Sequence, residues 1–215
     1  MTTISRRLLT IALLFLLSGC PAPIVDLPPP YLVMLAQTMP SQSRCAGVLL
    51  DSWHVLTADH CVDRGFLRVE TQYGQTMQAT PLHRWDEIDV AILTLPFALY
   101  APRYARLVVP DTALAGRIYG LCPQHFVHTP RAARYMGQWH ESSKWAGQMW
   151  GVWTTACGGD SGGVLVQNGN VAGVVVAVQD WYLFSSSVEG DLVCIVSAEL
   201  VIERLTGYSP AKGGI

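Results

Sequence analysis

The segment Gly159-Asp160-Ser161-Gly162-Gly163 restricts the architecture of this 215-residue chain more than any other. A hydroxyl is a poor nucleophile until a neighbouring base takes its proton. A chain that uses one holds the serine on a tight turn with backbone N–H groups free around it. Glycines on both sides permit that turn and a close approach of the backbone to another molecule. Alone, the pattern is also ordinary turn chemistry. The histidines narrow the choice: His54, His60, His83, His125, His128 and His140 all precede Ser161. Any base must come from upstream, which rules out a fold whose chain order is serine, acid, histidine. The orders histidine–aspartate–serine and aspartate–histidine–serine remain.

Two upstream segments decide between them. The first is Val55-Leu56-Thr57-Ala58-Asp59-His60-Cys61, preceded by Cys45-Ala46-Gly47-Val48-Leu49-Leu50; the second is Asp89-Val90-Ala91-Ile92-Leu93. Together with Gly159–Gly163 they resemble the three motif blocks of the chymotrypsin/trypsin-like serine proteases, in that family's order, over most of the chain from about Cys45 onward. The resemblance implies that His60 is a general base, Asp89 the residue that orients it and Ser161 the nucleophile. It also implies an oxyanion hole from the N–H groups of Gly159 and Ser161, and a disulfide Cys45–Cys61 closing the histidine loop. Asp86 is the alternative to Asp89 but lacks an apolar run behind it that would anchor a buried strand. The other histidines read as surface or loop residues.

The first twenty residues read as a targeting segment. Arg6 and Arg7 precede an apolar run, Leu8 to Leu17, that is short for a membrane span. Leu17-Ser18-Gly19-Cys20 resembles the bacterial lipobox, which implies cleavage after residue 19 and acylation of Cys20; a plain secretory signal is the competing reading. Residues 20–30, with Pro21-Ala22-Pro23 and Pro28-Pro29-Pro30, read as a stiff tether. Pro21 stands where lipoprotein sorting by an aspartate would hold a chain at the inner membrane. The expected location is therefore the bacterial envelope, lipid-anchored, at the outer membrane and facing the periplasm. Charged residues are 14% of the chain, against a usual value of about 25%. With a formal net charge of -2, this argues against nucleic acid as a partner.

An oxidising compartment also fits the cysteines. With Cys20 acylated and Cys45–Cys61 paired as the resemblance implies, Cys122, Cys157 and Cys194 remain. Cys157 pairs with Cys194 or Cys122, or all three are buried thiols, and spacing does not choose. Short β-branched runs at Ala46–Leu50, His54–Thr57, Phe66–Glu70, Asp89–Leu95, Arg117–Leu121, Gly163–Gln167 and Asn170–Val178 alternate with turn signals. Asn168-Gly169 reads as the loop of a hairpin. The convincing helix runs from Ala198 to Leu205, with Ser197 as its cap and Gly207 as its stop. This predicts an all-β class: two antiparallel six-stranded β-barrels of the chymotrypsin-like type with a C-terminal helix. The domain would occupy residues 31–210, with barrels over about 31–109 and 110–207. Residues 123–153 are the least legible, and Trp139, Trp145, Trp150 and Trp153 there read as packing residues. No spacing of metal ligands is present, and neither a metal nor another cofactor is expected.

The chain departs from the family in three places. Asp59 replaces the usual alanine before the histidine, and Val176 stands where a serine typically supports the aspartate. An acylated Cys20 could not supply the buried ammonium that many members pair with the acid corresponding to Asp160. By the resemblance, Thr155, Ala156 and Val178 form the pocket for the residue before the cut bond, and none carries a charge. Small or medium uncharged residues are therefore expected there, unless Asp180, Glu189 or Asp191 swings in. Two functions follow: an endopeptidase acting on proteins or peptides, or a lipid-anchored binding or assembly protein that keeps the fold without the activity. The intact His60, Asp89 and Ser161 favour the first.

Overall fold

Valine, leucine and isoleucine recur in this chain in runs too short for helices and bounded by turn residues, and those runs are strands. The computed structural model describes residues 28–37, 44–121, 130–138, 149–155, 159–179 and 191–206. The first half holds β1 (Leu32–Ala36), β2 (Arg44–Leu49), β3 (His54–Ala58), the short helix α1 (Asp59–Asp63), β4 (Arg68–Thr71), β5 (Thr76–Gln78), β6 (Thr80–Trp85) and β7 (Val90–Thr94). The second holds β8 (Gly116–Tyr119), β9 (Arg131–Gln138), β10 (Met149–Thr154), β11 (Val164–Gln167), β12 (Asn170–Gln179), β13 (Asp191–Ser197) and helix α2 (Ala198–Thr206).

The strands of each half pair antiparallel within one sheet. The first sheet runs β5-β4-β1-β2-β3-β7-β6 and curls into a half-barrel. The second closes completely, in the order β10-β13-β12-β11-β8-β9. The all-β expectation and the six-stranded second barrel hold. The first unit has seven strands in a row rather than a hydrogen-bonded ring of six.

Burial on both faces explains why the second barrel is so rich in valine. Along β11, β12 and β13, residues alternate between two clusters. Leu165, Ala172, Val175, Val193 and Ile195 pack together with Ile118 and Val152. Their neighbours Val164, Val166, Val174, Val176, Cys194 and Val196 instead join the cluster that fills the first sheet, with Leu35, Leu56, Ile88 and Leu93. A strand with one wet face would alternate apolar and polar residues; in these strands the polar residues stand only at the ends. The same apolar surface thus forms one barrel and holds it to the other.

Some elements differ from the sequence expectation for local reasons. β1 is buried along nearly its whole length and shows no alternation. β6 is an edge strand, largely exposed, so it carries Thr80, Pro81 and His83 instead of an apolar pattern. Proline is tolerated on such an edge. Trp150 and Trp153 lie on β10, in the stretch that was hardest to read. The hairpin from β11 to β12 pairs Gln167 with Asn170, and both loop residues have positive φ, 48° at Asn168 and 75° at Gly169. That is the two-residue turn whose twist matches the strands. Ser197 caps α2 as expected, its hydroxyl accepting from the Leu200 N–H at 3.3 Å. Cys20, Cys122, Cys157 and Gly207 lie outside the described residues, as do Trp139 and Trp145. Among the described residues no helix is long and apolar enough to cross a membrane.

Cys45 on β2 is bonded to Cys61 on α1, with Cα atoms 6.3 Å apart and a sequence separation of 16. Closing a loop of that length restricts the unfolded chain by about 3 kcal/mol. The double variant Cys45→Ala/Cys61→Ala is therefore expected to lose about that much stability in urea unfolding, read as a lower midpoint. An unchanged midpoint would assign the bridge no role in holding α1 to β2.

Candidate active site

The register of the first sheet brings His60 and Asp89 together. β3 pairs with β7 so that Ala58 lies opposite Val90. The next residue of one strand therefore meets the preceding residue of the other, and the Asp59 N–H donates to the Asp89 carbonyl at 3.0 Å. α1 begins there and turns His60 over Asp89. The Asp89 carboxylate accepts twice from the same residue: from the His60 backbone N–H at 2.9 Å and from ring Nδ1 at 2.7 Å. A carboxylate can only accept, so Nδ1 carries the hydrogen and Nε2 presents its lone pair outward. Asp89 is 4% exposed, whereas the His60 side chain is 27% exposed. The pair thus has a dry end and an accessible end. Asp89 also has φ of 54°, uncommon for a residue with a side chain and found where surrounding structure enforces it.

Ser161 comes from the second barrel, on the turn before β11. Its carbonyl accepts from the Ala46 N–H on β2 at 2.8 Å, so the turn is hydrogen-bonded directly to the first sheet. Gly162 makes that approach feasible. A Cβ there would lie 2.0 Å from the Ala46 carbonyl oxygen and 2.3 Å from Thr57 Oγ1, at φ 77°. Gly159 has φ 116°, and its Cβ would meet the Leu121 carbonyl at 2.5 Å. The Gly162 N–H donates to Val175 and the Gly163 N–H to Asp160, each at 2.7 Å. The N–H groups of Gly159 and Ser161 donate to nothing among the described residues. Nor does Ser161 Oγ hydrogen-bond to His60 among them. Such bonds are often long before a substrate is present.

Asp160 has a partner the sequence reading missed. Arg131, the first residue of β9, grips its carboxylate with both prongs, Nη1 to Oδ2 at 2.5 Å and Nη2 to Oδ1 at 2.6 Å. Asp160 is 1% exposed. Nη1 also donates to the Thr155 carbonyl at 2.9 Å. One guanidinium therefore ties the serine turn to the end of β10, where the resemblance implied the base of a pocket. An internal cation here removes the need for a chain-terminal ammonium. Its sequence signal was slight, one of two arginines after Pro130 in an illegible stretch.

Asp59 does not act as a second carboxylate on the histidine ring. It is buried and accepts from Arg84 on β6, Nε to Oδ1 at 2.6 Å and Nη2 to Oδ2 at 2.9 Å. The same Nη2 also bonds to Asp63. Hydrogen bonds to Asp59 first, then Asp63, hold the Arg84 guanidinium in its charged form above its ordinary range. Val176 is buried in the core shared by both units and has no group that could bond a carboxylate. Thr155 is exposed at the end of β10, the backbone of Val178 pairs with that of Val193, and Ala156 lies outside the described residues. Cys45, His60 and Cys61 lie close enough together to suggest a metal, but both sulfurs are spent in the disulfide and offer no thiolate.

No family model and no curated protein matches this chain. Solved structures do. It is similar to an inactive form of the protease Rv3671c from M. tuberculosis, with a TM-score of 0.62 at 19% identity over 86% of this chain and 89% of that one. It is similar to the serine endoprotease from Yersinia pestis, with a TM-score of 0.64 at 17% identity over 83% of this chain and 62% of that one. An HtrA-type protease, AlgW, crystallised with a tripeptide, gives 0.63 at 17% over 86% of this chain and 62% of that one. At these identities the likeness is one of fold.

Replacing Arg131 by methionine leaves the Asp160 carboxylate buried without its guanidinium, an effect that typically costs about 3–5 kcal/mol. Arg131→Met is expected to unfold at markedly lower urea than the wild type. Arg131→Met/Asp160→Asn, which removes both charges, should recover much of the loss. Equal midpoints for wild type and the single variant would mean that the ion pair does not hold this turn.

Proposed function

From the chymotrypsin-like two-barrel fold, we propose that this chain is a serine endopeptidase in which His60, Asp89 and Ser161 act as a unit. The observation that carries the reading is the double grip of Asp89 on His60. It fixes the imidazole tautomer whose Nε2 can take a proton, at the point where the Ser161 turn is bonded to the first sheet. Ser161 Oγ attacks the carbonyl carbon of a peptide bond as His60 Nε2 takes the hydroxyl proton. The negative oxygen that results is held by the N–H groups of Gly159 and Ser161. Collapse expels the amine, which leaves with the proton from His60, and an acyl-serine remains. A water then attacks it, His60 again taking and returning the proton, and the carboxylic acid departs. Asp89 stays ionised and stabilises the imidazolium throughout.

The pocket for the residue before the cut bond is assigned to Thr155, Ala156 and Val178. None can neutralise a buried ammonium or guanidinium, which supports a preference for small or medium uncharged side chains. Selectivity among these is modest, since one methylene in an apolar pocket is worth about 1–3 kcal/mol. The lipobox resemblance at Leu17-Ser18-Gly19-Cys20 supports acylation of Cys20 and a place in the bacterial envelope, and Pro21 in place of an aspartate supports the outer membrane, facing the periplasm. Retention of the fold without turnover is the other reading; Val176 in place of a hydrogen-bonding residue favours it.

Reaction with a fluorophosphonate probe separates the two, since it requires an activated serine. Wild-type chain should label, whereas Ser161→Ala and His60→Ala should not. Asp89→Asn should hydrolyse peptides about 10⁴-fold more slowly, by presenting the wrong tautomer. Gly159→Val, which also forces a Cβ onto the Leu121 carbonyl, should lose about 100- to 1000-fold in rate with the oxyanion hole. Peptide hydrolysis by Ser161→Ala would overturn the mechanism.

Two further measurements address pocket and anchor. A peptide library should be cut after Ala, Val, Thr or Leu, and strong cleavage after Arg or Lys would remove the pocket assignment. Cells fed an alkyne fatty acid should label the wild-type protein but not Cys20→Ser. A wild-type chain that takes up no label would be simply secreted.

A further inference from the structure

The residue before the histidine carries a buried charge. Asp59 is 3% exposed, and its carboxylate receives both prongs of Arg84, while Asp63, at the other end of α1, is held by the same guanidinium. Arg84 thus grips the first and last residues of the one-turn helix that carries His60. Its own strand, β6, leads directly into Asp89: Arg84 pairs with Ala91 and Trp85 with Val90 across the hairpin to β7. The connecting turn is closed by the Ile88 N–H on the Trp85 carbonyl at 3.1 Å. The histidine and the aspartate therefore sit on two separate bodies, α1 and the β6–β7 hairpin. Besides the Asp89 carboxylate on His60, the Arg84 side chain bridges them, and the Asp59 N–H adds a backbone bond to Asp89 on the same seam.

The energetics of this cluster favour geometry over stability. Arg84 is 40% exposed and Asp63 61%, so the Asp63 contact is screened by water and worth little. The Asp59 carboxylate is dry, and desolvating it offsets much of what the guanidinium returns. A two-pronged arginine–carboxylate bond does, however, fix distance and tilt in a way that a methyl group at residue 59 cannot.

We propose that Arg84 is a positioning residue, whose two-pronged bond to Asp59 sets His60 against Asp89. This rests on the serine-peptidase reading above.

The test uses the full chain with one peptide substrate and the fluorophosphonate probe, comparing Arg84→Met, Arg84→Lys and Asp59→Ala/Arg84→Met with wild type. Arg84→Met is expected to lower kcat, and the rate of probe labelling, about 10- to 100-fold while KM stays within about twofold, as a sub-ångström displacement of the base would. Arg84→Lys keeps the charge but not the fork and should recover only part of the rate. The double variant carries no unpaired buried charge, so its Tm should return toward that of wild type while kcat stays low. That split is the signature of positioning and can be read even if Arg84→Met folds poorly. Recovery of kcat together with Tm in the double variant would overturn the proposal, as would an unchanged kcat in Arg84→Met. Wild-type chain that neither labels nor cleaves would overturn the peptidase reading itself, and this one with it.

Discussion

The site depends on a backbone contact that no side chain could occupy. The Ser161 carbonyl bonds to the Ala46 N–H, and Gly162 lies so near Ala46 and Thr57 that a Cβ would overlap both. This contact joins the turn that carries Ser161 to strands β2 and β3 of the first sheet. Thr57 and Ala46 are themselves tied, Thr57 Oγ1 donating to the Ala46 carbonyl at 2.8 Å. Thr57 stands three residues before His60, so the strand that receives the serine turn also leads into His60. Hydrophobic packing supplies the force behind the contact, because the outer faces of β11, β12 and β13 share one cluster with the first sheet. Separating the units would expose that entire face.

Around this contact, the three buried carboxylates among the described residues organise a chain otherwise poor in charge. Asp89 is matched to His60, Asp160 to Arg131 and Asp59 to Arg84. Each pair joins two elements: α1 to the start of β7, where it reinforces the backbone bond from Asp59 to Asp89, the serine turn to β9, and α1 to β6. An ionised carboxylate is very costly to bury alone, so each acid holds its partner element in a single arrangement. The arginine partners also account for two departures from the expected pattern. Arg131 is a cation partner for Asp160 from within the chain, and Arg84 is the partner of Asp59.

Legibility followed how local each signal was. The Asn168-Gly169 turn, the Ser197 cap and the valine runs of β11 and β12 were readable because each depends on residues adjacent in sequence. β6 and β9 were not: edge and exposed strands need no apolar pattern, and their pairing is decided by neighbours far along the chain. α1 escaped for a related reason, since five residues after a strand carry no helical period.

By itself the sequence determined the all-β class, the order of histidine, aspartate and serine, and the glycine-rich turn, because composition, order and turn chemistry are properties of the chain alone. The Cys45–Cys61 bridge was legible through resemblance. The tertiary structure decided which cation neutralises Asp160, where the Asp59 carboxylate points, and that the first sheet is a seven-stranded half-barrel. Arg131 is 29 residues from Asp160, and Arg84 is 25 from Asp59. Salt-bridge partners at such separations are chosen by sheet register and barrel closure, and these depend on every strand together.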